Sequence, residues 1–372
     1  MKRLQVFLRI RYFGRLGNSW LADFASELNT HNIPKCNIKY MVDYTPLRCY
    51  CFYNITQIKY DIQNERGDSM TYEGFVKELT GTLTKELGPE YHLKFNRLLK
   101  NNDITRDTLV ILRQGENASP AFSLADFYEK YRGGEEMASI SKRITGLYHE
   151  DHFARNMDLD FLWDWERVKD RIVCRLVGAG RNKTRLQKVL HRQFLDMAVI
   201  YRYEFESQED YTASLIVENA FLEKWGISFE QFDETARANT ARLSPPAFMS
   251  MDRIMADLLG SELLSAELHN EEMPIGHGGE LFVLTNSRRM HGAYWMSERE
   301  VLETVREQVG DGFLILPSSV HECMIIPDGA GPSPAEMAGM VRDINRHEVE
   351  PEEVLTDSVY RYCSDTGVQI EA

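Results

Sequence analysis

The stretch "GFLILPSSVHECMIIPD", residues 312–328, sets two serines, a histidine and a glutamate between two apolar runs. A serine nucleophile needs a base within hydrogen-bond reach and a third group that orients that base. Ser318, Ser319, His321 and Glu322 supply all three residue types, and a hydrolase-like enzyme would use His321 with Ser318 or Ser319. The spacing argues against it. Side chains two apart on a strand run parallel, and those of His321 and Glu322 leave opposite faces. No G-x-S-x-G elbow accompanies the group. The competing reading is a turn in which Pro317, Ser318 and Ser319 satisfy local backbone groups. No residue is assigned a catalytic role. The deciding observation is whether the His321 ring meets a serine hydroxyl and a remote carboxylate.

"NSRRMH", residues 286–291, differs in kind: Arg288, Arg289 and His291 form a positive turn in an acidic chain. Guanidinium forks suit carboxylate and phosphate, so these three are the binding candidates, for a small anionic ligand or an unknown protein. "VGAGRNKT", residues 177–184, resembles the end of a phosphate loop, but Val177 stands where the first glycine is required and Asn182 precedes Lys183. It reads as a connection opening a basic helix. "HEDH" offers His149 and His152, and "HNEEMPIGHGG" offers His269, Glu271, Glu272 and His277. Neither has H-E-x-x-H spacing or a companion cysteine pair, so both read as solvated surface, with no metal and no cofactor expected. In "MDLDFLWDWE", Trp163 and Trp165 either anchor a partner or pack a helix on the core.

The elements that must hold these residues are helices and antiparallel hairpins. "TYEGFVKELTGTLTKEL" places Phe75, Leu79, Leu83 and Leu87 at helical spacing. "YHLKFNRLLK" and "ITRDTLVILRQ" are strands about the turn Asn101-Asn102-Asp103, and helices follow through "LADFYEKYRGG" and "EEMASISKRITGLYHE". A second strand pair, "FLDMAVIYRYEF" and "YTASLIVEN", precedes a helix announced by Ser228 and Gln231. "ELFVLTN" and "GAYWM" are read as a hairpin across "SRRMH", with Ser297 and Glu300 capping the next helix. Ser333, Pro334 and Glu336 announce another. Within 312–328 both strand parities are apolar, which puts this hairpin centrally in a covered sheet. The fold class is α+β, antiparallel sheets built from hairpin-helix units with helices on the sheet faces.

The chain has 372 residues and a formal net charge of −14. So acidic a protein lacks the field of lysine and arginine that a general nucleic-acid binder needs. No apolar run approaches the roughly 20 residues that span a bilayer, and arginines interrupt the opening segment where an export signal must be apolar. A cytoplasmic protein with reduced thiols is expected, since its six cysteines show neither a disulfide framework nor zinc-knuckle spacing. Oligomeric state is not legible. The first 70 residues carry 10 Lys+Arg against 6 Asp+Glu, in contrast to the acidic remainder. "NERGDSM" is also what a purine-rich ribosome-binding site would encode ahead of a start at Met70. Residues 1–69 are therefore read as an extension from a mis-assigned start, a hypothesis that Met1 at the N-terminus of natively expressed protein would refute. An N-terminal α+β domain over 70–157 and a C-terminal one over 158–372 follow.

Taken in order, "RVKDRIVCRLV", "HRQFLDMAVIYRYEF", "FLEKWGIS", "LFVLTN…HGA", "FLILPSSVHECMIIPD" and "EVEPEEVLTDSVYRY" resemble a bacterial family common in gut Clostridia, domain of unknown function 5688, over roughly residues 71–365. The "LPSS-x-HE" block is a hallmark of that family. The resemblance implies a fold, a source and a compartment, and no reaction. The reading that follows is a non-enzymatic cytoplasmic binding or interaction protein that uses the 286–291 and 317–322 turns.

Overall fold

The computed structural model describes residues 49–52, 70–150, 159–208, 211–251, 253–254 and 281–372. The reading of residues 1–69 as an extension, and the metal candidates His152, His269, Glu271, Glu272 and His277, fall outside these except for the short strand β1 (Cys49–Phe52).

The first unit is helix α1 (Tyr72–Leu87), strands β2 (Tyr91–Leu99), β3 (Thr105–Arg113) and β4 (Ala118–Ser123), and helices α2 (Leu124–Arg132) and α3 (Met137–His149). Thr71 caps α1, and its four-residue apolar spacing is the buried face: Phe75, Leu79, Leu83 and Leu87. That face packs with Leu109, Ile111, Phe122, Ile140 and Ile144 in a core of its own. The sheet order is β1-β4-β3-β2, with antiparallel ladders. Strand β4 was not expected; "ASPAFS" is short and holds a proline.

The rest of the chain runs α4 (Trp165–Val168), β5 (Ile172–Gly178), α5 (Lys183–Leu186), β6 (His191–Phe194), β7 (Met197–Gln208), β8 (Tyr211–Ile216), α6 (Asn219–Trp225), α7 (Phe229–Leu243), β9 (Pro246–Ser250) and β10 (Phe282–Asn286). It ends with α8 (Arg299–Val309), β11 (Phe313–Pro317), β12 (Cys323–Pro327), α9 (Pro334–His347), β13 (Tyr360–Cys363) and β14 (Gly367–Ile370). Strand β7 pairs with β5, β6 and β8 in one sheet, and the other has six strands in the order β14-β13-β11-β12-β10-β9. The architecture is α+β.

The central position of β11 and β12 follows from their two apolar parities. Phe313, Ile315, Cys323 and Ile325 join the main core with β5, β7 and α7. Leu314, Leu316, Met324 and Ile326 pack on Met337, Ala338 and Val341 of α9. Helix α9 begins with a complete capping box between Ser333 and Glu336 and carries Pro334 in its first turn.

Two expectations fail in the segment before α8. "GAYWM" is not a strand: Gly292–Ser297 is a 3₁₀ helix, so residues 286–291 join β10 to a helix and are no hairpin turn. Helical folding here depends on Gly292, because a Cβ at that position would lie 2.4 Å from Thr285 Oγ1 and 2.6 Å from Asn286 N. Nor does Ser297 cap α8. Its hydroxyl donates to the Tyr294 carbonyl, and Glu298 is the N-cap residue.

"VGAGRNKT" has a role that its near-match to a phosphate loop did not disclose. It is the socket for the β2–β3 turn. Asn182 is fully buried and exchanges hydrogen bonds with Asn102, and the Asp103 carboxylate accepts from the backbone N–H groups of Thr184 and Arg185. The anion at these amides is thus the chain's own. Asn102 holds φ at +62°, which its short polar side chain tolerates, and its amide donates to the Pro351 and Val354 carbonyls.

Candidate functional site

The two polar turns singled out in the sequence meet. The His291 and His321 rings lie 5.2 Å apart, and the His291 backbone N–H donates to His321 Nδ1 at 3.1 Å. An imidazole nitrogen that accepts carries no proton, so His321 is the neutral tautomer protonated at Nε2. That nitrogen lies 3.3 Å from Glu353 Oε1. A remote carboxylate therefore faces the ring, as a catalytic base would require. No serine does. Ser319 Oγ accepts from the His321 backbone N–H, and Ser318 Oγ donates to the Glu322 carbonyl. Both hydroxyls shape the loop.

The loop is also closed over. Ser319, His321 and Glu322 are 5%, 6% and 8% exposed. The His321 carbonyl accepts from Thr285 Oγ1 and from the Gly292 N–H, while the Val320 N–H donates to the Glu353 carbonyl. These groups fasten the 318–322 loop to β10 and to the turn before β13.

The 286–291 segment is built around Asn286. Its Oδ1 accepts from the backbone N–H groups of Arg288 and Met290, and its amide donates to the Met290 carbonyl. Arg289 and His291 take the left-handed conformation, with φ of +53° and +57°. The tight loop aims Arg288 and His291 at the β5–β7 sheet and leaves Arg289 exposed.

There they meet two residues that belong to no sequence motif, Arg175 and Glu204. Val173 pairs with Arg202 and Arg175 with Ile200, so Arg175 and Glu204 leave the same face of the two strands. Glu204 accepts from Arg175 Nη2 at 3.2 Å through one oxygen and from Arg288 Nη1 at 2.8 Å through the other. Arg175 Nη1 lies 3.0 Å from His291 Nε2. A guanidinium only donates, so His291 Nε2 accepts. Burial pushes the Arg175 pKa below its usual value, as does neighbouring Arg288, and Glu204 opposes both. The signal for Arg175 and Glu204 was in the sequence: each is a charge inside an apolar strand run, "IVCRLVG" and "AVIYRYEF". A charge so placed requires a partner across the sheet.

Around this cluster lies a pocket of about 430 Å³, counting its open mouth, bordered by Val173, Arg175, Glu204, Arg288, Met290, His291, Tyr294 and Trp295 among others. Cys174 also reaches it, with its thiol pushed up to about 12 by burial, so it is no nucleophile near neutral pH. Deeper, Glu298 accepts from Tyr294 Oη, Arg192 and Arg237. Among the described residues no cluster of three or more His, Cys, Asp or Glu could hold a metal ion.

The profile of a family of unknown function, DUF5688, matches residues 72–364. The chain belongs to that family. In this DUF5688 protein the match spans both units and contains the whole His291–His321 cluster, whereas β1 lies before it. Comparison with curated proteins and with solved structures finds no match. No helix among the described residues of the DUF5688 chain is long and apolar enough to cross a membrane. Of the two tryptophans noted in its sequence, Trp165 packs on Trp225 and Phe232, while Trp163 is exposed and stacks on Phe221.

Proposed function

We propose that this is a cytoplasmic, non-enzymatic binding protein whose pocket between β5, β7 and the 286–295 segment takes a small anion. One observation carries the reading: two guanidinium groups, Arg175 and Arg288, share the single carboxylate of Glu204 at the edge of a pocket. The local balance is positive in a chain whose net charge is −14. An anion at the mouth gains from a field partly shielded from water, where charge-assisted bonds to a guanidinium are strong. Exposed Arg289 beside the pocket adds attraction at longer range. Reaction chemistry lacks comparable support, since neither serine hydroxyl reaches the His321 ring. The described cysteines Cys174, Cys323 and Cys363 are free thiols, which suits a reducing compartment.

Isothermal titration of the full chain with acetate, sulfate and inorganic phosphate tests the proposal. At least one should bind saturably, more weakly at high salt, and with at least about tenfold lower affinity in Arg288→Glu. Absence of binding by every anion, or an unchanged affinity in Arg288→Glu, would refute it.

A further inference from the structure

We infer that the ligand is a monocarboxylate bearing a short apolar tail, the chemistry shared by a small free organic acid and the C-terminal residue of a peptide. This rests on the anion-binding reading and narrows it. Charge comes first. Arg175 and Arg288 contribute +2 and Glu204 −1, so one excess positive charge faces the pocket. A monoanion cancels it, whereas a dianion leaves a negative excess beside a buried carboxylate.

Geometry is the second argument. Arg288 spends one nitrogen on Glu204 and its side chain is 34% exposed, so the guanidinium retains donors toward the mouth. A carboxylate can take two of these side by side. Asn286, the nearest amide, is consumed in holding the turn and does not compete for the ligand. It acts as a positioning residue for Arg288.

The walls supply the third argument. Trp295 Nε1 donates to the Ser244 carbonyl and Tyr294 Oη to Glu298, so the polar tips of both rings are spent elsewhere. What the rings offer the pocket is apolar, as are Val173 and Met290. Met290 is 40% exposed at the rim, where an unbranched thioether can adapt to a tail. Much of the space is the open mouth, so the tail lies at the rim beside Met290 and is limited to a few carbons.

The test is titration calorimetry on the full chain with acetate, butyrate, isovalerate, succinate and inorganic phosphate, and with a short peptide ending in leucine as the free acid or the amide. Butyrate, isovalerate or the free-acid peptide should bind at least about tenfold tighter than acetate, and the amide should not bind. Met290→Ser, with its fold checked by thermal melting, should reduce that preference several-fold. Binding of the peptide alone would identify a C-terminus as the source, and binding of the small acids alone a free metabolite. Tighter binding of phosphate or succinate than of any monocarboxylate would overturn the inference and keep the anion reading. Failure of every anion to bind would overturn both.

Discussion

Glu204 and Arg288 form an ion pair at 2.8 Å, yet they should respond very differently to removal. The Glu204 side chain is 10% exposed and faces a second guanidinium, Arg175, that is also buried. Glu204→Ala strands that charge, a change that typically costs about 3–5 kcal/mol. Arg288→Ala removes a side chain with access to water and leaves Glu204 with Arg175, so about 1 kcal/mol or less is expected. Urea denaturation of the two variants checks the contrast, and equal losses would show that Arg175 does not depend on Glu204. His321→Ala belongs to the same scale. It leaves the His291 N–H without its acceptor, an expected loss of about 1–3 kcal/mol in the same assay. Arg288, His291 and His321 were legible because they stand together in short polar stretches. Arg175 and Glu204 were legible only in part, because a charge in an apolar strand shows that a partner exists without saying which one.

Among the elements, the decisive piece is the turn into the 3₁₀ helix. "GAYWM" is rich in residues that favour strands, so composition alone points to a hairpin. Contact decides otherwise: Gly292 lies against the backbone between Thr285 and Asn286, where no side chain fits, and the chain folds over β10 instead of pairing along it. Gly292→Ala should therefore lift the turn, separate His291 from His321, and destabilise the protein by about 1–3 kcal/mol. A two-dimensional amide spectrum would check this, with the largest shifts expected at His291, Val320 and His321. Shifts confined to Gly292 and its sequence neighbours would contradict the packing argument. By contrast, β11, β12 and α9 were legible from local pattern, since alternation on two parities and a capping box are complete within a dozen or so residues. The cap of α8 was not, because Glu298 is buried and serves arginines from α7 and β6.

For the molecule as a whole, the α+β class could be read from hairpins and helices, but the shared core that joins β5 and β7 to α7, the 3₁₀ helix, β11 and β12 could not, because it joins residues distant in sequence. That core buries ionisable groups, and their titration gives a global prediction. The Cys174 thiol is raised from 9.0 to about 12 in the folded protein, first by burial. The Tyr201 and Tyr294 hydroxyls are likewise raised above their ordinary 10.0, first by burial and then by nearby acidic groups, among them Asp233 for Tyr201 and Glu298 for Tyr294. Each keeps its proton in the folded state at a pH where the unfolded chain has released it. The unfolded state then binds fewer protons, so stability falls as pH rises. The contribution is complete below about pH 9 and is lost from there upward, with a limiting slope of about 1.4 kcal/mol per pH unit for each group. Denaturation midpoints between pH 8 and 11 should fall steeply, the thiol beginning the decline near pH 9 and the tyrosines joining it near pH 10. Cys174→Ala should flatten the first part of that decline relative to wild type while lowering the plateau slightly. An identical slope in the two proteins would mean that the Cys174 thiol titrates in the folded state as it does in the unfolded chain, and that the core between β5, α7 and the 3₁₀ helix does not exclude water there.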